Sequence, residues 1–74
     1  MAHVRITGWR RGLQKVAMTK TIRLRSGLNL AAAKSYTDSV LLGETVIVDV
    51  PLRRDAEIMA EALVSLGAVA EVVE

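Results

Sequence analysis

Cysteine is absent from this chain, phenylalanine is absent too, and there is one histidine. No disulfide can staple the fold, and His3, near the terminus with no Cys or second His to join it, reads as a solvated end residue rather than a metal ligand. Val, Leu, Ile, Ala and Met must therefore supply the packing. They must do so in 74 residues, which leave room for a single domain, 1–74, that buries only about 60 to 65% of its unfolded surface. Because 51% of the residues are hydrophobic, a folded domain is favoured over a disordered tail. No apolar run approaches the roughly 20 residues of a membrane span. The start MAHVRITGWRR also puts charges where a signal peptide needs its apolar segment. The expectation is a soluble, cytoplasmic protein without a membrane partner, and the lack of cysteine is compatible with a reducing compartment.

The patterns of enzymes are missing as well. No Gly-x-Ser-x-Gly elbow or partner histidine accompanies the serines, and Gly8 and Gly12 flank two arginines without the Lys-Ser/Thr of a phosphate loop. Glu57 and Glu61 stand four apart on the polar side of a helical pattern and read as solvated charges. A non-enzymatic protein is expected, with no catalytic residues, no metal and no cofactor.

What is present is an uneven distribution of charge. Every acidic residue lies from Asp38 onward, whereas Arg5, Arg10, Arg11, Lys15, Lys20, Arg23, Arg25 and Lys34 precede it, so the net charge of +2 conceals a dipole along the chain. Only Arg53 and Arg54 interrupt the acidic half.

The periodicities predict a strand over His3–Thr7 closed by Gly8, a loop carrying Trp9, Arg10 and Arg11, and a helix from Leu13 to about Arg25 with Met18 and Ile22 inward and Gly27 as its stop. Asn29 is suited to cap a second helix whose buried stripe is Leu30, Ala33 and Thr37, ended by Gly43. A well-buried strand over Thr45–Val50 follows. A third helix over Arg53–Leu66, stopped by Gly67, leads to a last strand, Ala68–Val73. The expected fold is α+β: two layers in the order β-α-α-β-α-β, a small three-stranded sheet covered on one face by three helices.

On the first helix, Lys15, Val16, Ala17, Lys20 and Arg23 combine small apolar and cationic side chains, the composition of a surface that docks an acidic protein. A solvated helix face is the bland alternative. Nucleic acid is the rival partner. Trp9 with Arg10 and Arg11 carries that reading, joined by Lys15, Lys20 and Arg23, while a Trp lid on the core is the structural alternative. With only Trp9 and Tyr36 able to stack, and those on different elements, protein docking is preferred.

The run Lys15-Val16-Ala17-Met18-Thr19-Lys20-Thr21-Ile22-Arg23, followed by Gly27-Leu28-Asn29-Leu30 and Ala33-Lys34, resembles the C-terminal domain of the bacterial large-subunit ribosomal stalk protein. That family carries Lys-Val-x-Val-Ile-Lys-x-Val-Arg and then Thr-Gly-Leu-Gly-Leu-Lys-Glu-Ala-Lys, and the match runs ungapped through Lys34. Leu66-Gly67-Ala68 is similar to its closing helix-Gly-Ala-strand. The resemblance implies the same fold and recruitment of a translational GTPase through Lys15, Val16, Ala17, Lys20, Arg23, Leu30 and Lys34. Departures are Thr19 for an apolar residue, Asn29 for the second glycine, Ala31-Ala32 for Lys-Glu, and Leu24 and Arg25 at positions usually small. The chain also starts at the first strand, without the family's dimerisation helices and hinge, so a role other than that of an ordinary stalk is expected. The Clp protease adaptor shares the architecture. Its Asn-Asp pair is replaced here by Trp9-Arg10 and its pocket histidine is not matched, which leaves a regulatory or adaptor role as a fold-level alternative. Open sheet edges and the bare Ala31-Ala32 surface leave the oligomeric state undetermined.

Overall fold

In β1 (Ala2–Trp9), Ala2, Val4 and Ile6 point into the core, while His3 and Arg5 point away from it, so one face of the strand is apolar and the other wet. The computed structural model describes residues 2–73. The other strands, β2 (Val46–Val50) and β3 (Ala68–Val73), flank β1 on either side, both antiparallel to it, in the order β2-β1-β3. Val4 stands opposite Val48 on one side and Val72 on the other, so aliphatic side chains run across the sheet on the side that meets the helices.

Three helices complete the order β-α-α-β-α-β: α1 (Lys15–Ser26), α2 (Leu30–Leu41) and α3 (Arg53–Leu66). Met18 and Ile22 of α1, Ala33 and Val40 of α2, and Ala56, Met59 and Leu63 of α3 join the sheet's valines and Ile6 in one core cluster. The punctuation read from the sequence is in place. Asn29 Oδ1 accepts the Ala32 N–H at 2.8 Å to cap α2, and Gly27 and Gly67 end α1 and α3 in the left-handed conformation. Gly67 is doubly constrained, because its φ is 107° and a Cβ there would meet Leu13 Cα at 3.0 Å. Among the described residues, no helix is long and apolar enough to cross a membrane.

Three expectations are corrected. β1 does not close at Gly8: pairing with β3 continues through an irregularity between Ile6 and Gly8, and Trp9 pairs with Ala68 instead of lying in a loop. A glycine in a strand is as compatible with a bulge as with a stop. β2 begins at Val46 and is an edge strand, with Ile47 52% exposed, because helices cover only one face of the sheet. Its β-branched composition reports strand propensity and not position in the sheet. Leu30 lies 53% exposed, outside the buried stripe, which is Ala33, Thr37 and Val40. It shares their side of the helix but sits in the first turn, beyond the last core contact.

Candidate docking site

α1 and α2 form a hairpin joined by Gly27–Asn29 and fastened midway by the Thr19 and Thr37 hydroxyls, 2.8 Å apart. Thr19 Oγ1 also donates to the Lys15 carbonyl at 3.1 Å. Thr37, the one buried polar side chain among those described, has Thr19 as a partner across the helix pair and the Ala33 carbonyl of its own helix at 3.4 Å, so its hydroxyl is not left unsatisfied.

The clasp borders a groove of about 520 Å³ between the two helices. From α1 it is lined by Lys15, Val16, Thr19 and Lys20, and from α2 by Leu30, Lys34, Thr37, Asp38 and Leu41. Val16 is 66% exposed and Leu30 53%, so apolar surface that would be buried in a closed helix pair is open to solvent here. Lys20 also borders a second groove of about 570 Å³, shared with Arg23 and with Leu24, which is 75% exposed.

Pairing separates these cations from Arg5, Arg25 and Arg53. Arg5 is paired with Glu71 and Arg25 with Asp55 at 3.4 Å, so folding brings the acidic half of the chain back onto part of the basic half, while Arg53 pairs within α3 with Glu57 at 3.2 Å. Lys15, Lys20, Arg23 and Lys34 form no ion pair with any described residue. Among the described residues, Asp38 is the only carboxylate lining the first groove, against three lysines. The start of α1 adds to the positive field: no acidic residue lies in its first turn, Gln14 supplies no side-chain cap, and the positive end of the helix dipole lies beside Lys15.

Of the residues singled out by sequence, Lys15, Val16, Lys20, Leu30 and Lys34 surround one groove and Arg23 the adjoining one. Ala17 is half-buried and lines neither. Thr37, Asp38 and Leu41 were not anticipated as lining residues, although their spacing of three, four and seven from Lys34 is a helical-face signal. Trp9, Arg10 and Arg11 are elsewhere, at the end of β1 and in the turn before α1, where the Arg10 N–H donates to the Gly67 carbonyl at 2.7 Å. Among the described residues, no three His, Cys, Asp or Glu side chains gather as metal ligands would. No protein-family model matches the chain, and no curated protein matches it.

Proposed function

We propose that this domain is a non-enzymatic docking module that binds an acidic protein through α1 and α2, as the C-terminal domain of the ribosomal stalk protein does, with a translational GTPase as the first partner to test. The observation that carries this reading is the first groove, where Lys15, Lys20 and Lys34, none of them paired with a described carboxylate, surround the exposed apolar side chains of Val16 and Leu30. Apolar side chains surrounded by cations provide burial at the centre of a contact and steering at its edge. A translational GTPase as partner would place the protein in the cytoplasm.

Pull-down with translational GTPases, comparing wild type with Lys20→Glu/Arg23→Glu, tests the surface. Both side chains are exposed on α1, so the fold should persist by far-UV circular dichroism while recovery falls at least about tenfold, and raising salt should weaken the wild-type complex. Equal recovery of the partner by both proteins would refute the assignment.

A further inference from the structure

The two grooves leave Trp9, Arg10 and Arg11 unused, since none of the three lines either one. Strand alternation alone would put Trp9 on the open sheet face with Arg5. The irregularity between Ile6 and Gly8 changes the parity, so Gly8 stands opposite Val69, and Trp9 opposite the buried Ala68 at the rim of the helix layer. The indole nevertheless stays 44% exposed, too open for the core lid that was its structural alternative.

The backbone beneath it is braced. Arg10 N–H donates to Gly67 O at 2.7 Å, Leu13 N–H to Arg10 O at 3.1 Å, and Gln14 N–H to Leu66 O at 3.0 Å, so the turn between β1 and α1 is tied to the turn between α3 and β3. That facing segment, 62–70, contains no charged residue, and neither Arg10 nor Arg11 forms an ion pair with any described residue. Two exposed arginines and an exposed tryptophan therefore occupy consecutive positions on a braced backbone, the arginines without an ion-pair partner among the described residues.

We infer that this corner is a second binding site, for single-stranded nucleic acid, in which a base stacks on Trp9 and adjoining phosphates are held by Arg10 and Arg11. A purely acidic segment, such as polyglutamate, would satisfy the arginines and leave the indole idle. A nucleotide offers a π-face and an anion together, which is the combination found here. The site rests on other residues than the α1–α2 groove and stands or falls separately from it.

Trp9 is the only tryptophan, so intrinsic fluorescence of the full chain reports on the site directly. Decamers of uridylate and of thymidylate serve as RNA and DNA probes, and polyglutamate of matched charge serves as the acidic-protein control. Quenching by either oligonucleotide is expected, with the dissociation constant rising about sevenfold between 50 and 200 mM salt if two phosphates are engaged. Arg10→Ala/Arg11→Ala keeps the reporter, removes only exposed side chains, and should weaken binding about tenfold while flattening the salt dependence. With a labelled oligonucleotide read by anisotropy, Trp9→Leu should weaken binding about fivefold or more. No quenching at 50 mM salt, equal quenching by polyglutamate, or an unchanged affinity in the double arginine variant would each overturn the proposal.

Discussion

The two broad faces of this domain treat charge in opposite ways. On the open side of the sheet, Arg5 Nε donates to Glu71 at 2.9 Å, a cross-strand pair in which the two charges cancel, and the neighbouring His3 Nδ1 lies 2.6 Å from Asp49. On the α1–α2 side, Lys15, Lys20, Arg23 and Lys34 stand beside exposed Val16, Leu24 and Leu30 without such partners. Cations that the fold neutralises for itself are surface scaffold. Those left unpaired around open apolar side chains keep a field and a buriable area that the domain itself does not use, and the proposed docking draws on both.

The largest effect expected is one that erases both faces together. Leu63 is fully buried under the sheet, and Leu63→Ala should cost about 2 to 5 kcal/mol, a large part of what a chain this short has in reserve. Chemical denaturation read by far-UV circular dichroism measures that loss. The docking deficit of this variant should track its unfolded fraction. Lys20→Glu/Arg23→Glu should instead lose docking with its unfolding midpoint nearly unchanged, and that separation is what gives the α1–α2 face its specific meaning.

A smaller change pits function against stability on one residue. Lys15 sits at the start of α1, where the helix dipole favours an anion, yet no acid occupies that turn. Lys15→Glu should therefore stabilise the domain by about 0.3 to 1 kcal/mol. That gain corresponds to a rise in Tm of about 1 to 8 °C in a domain of this size. The same variant should bind the acidic partner less well. A protein that becomes both more stable and a better binder would break the contrast between the faces, because it would mean that the positive start of α1 serves neither.

The parts of this picture that were legible in the sequence are the locally determined ones. Asn29 capping α2, and Gly27 and Gly67 ending helices, depend on hydrogen bonds and backbone angles within a few residues, and all three occur as read. So does the order of elements, set by alternation in β1 and by the apolar stripe of α3. The rest depends on long-range pairing. That β2 lies at an edge, that Trp9 ends a strand, and that Leu30 projects beyond the core follow from which elements meet, which composition does not encode. The charge split misled in the same way. It placed Arg5 and Arg25 with the other bases of the first half, but Glu71 and Asp55 return from the second half to neutralise them. The lysines singled out from the sequence line one groove, whereas Asp38 and Leu41 on its α2 wall became evident only when the two helices were seen side by side.

The smallest expected effect is the most direct test of the contrast. Arg5→Gln removes the cross-strand pair with Glu71, which lies on the partly exposed sheet face, where such pairs contribute about 0 to 1 kcal/mol. Water solvates the carboxylate left behind, and Gln retains much of the side chain's packing on the strand. The difference in unfolding free energy between wild type and Arg5→Gln should thus stay below about 1 kcal/mol and shrink as salt is added, since screening removes the attraction that distinguishes them. Docking should be unaffected, because the paired Arg5 contributes little net field and lies on the face opposite the helices. If Arg5→Gln weakened partner binding as much as Lys20→Glu/Arg23→Glu, the pairing of charge would not distinguish scaffold from site, and the sheet face would have to be counted as part of the docking surface.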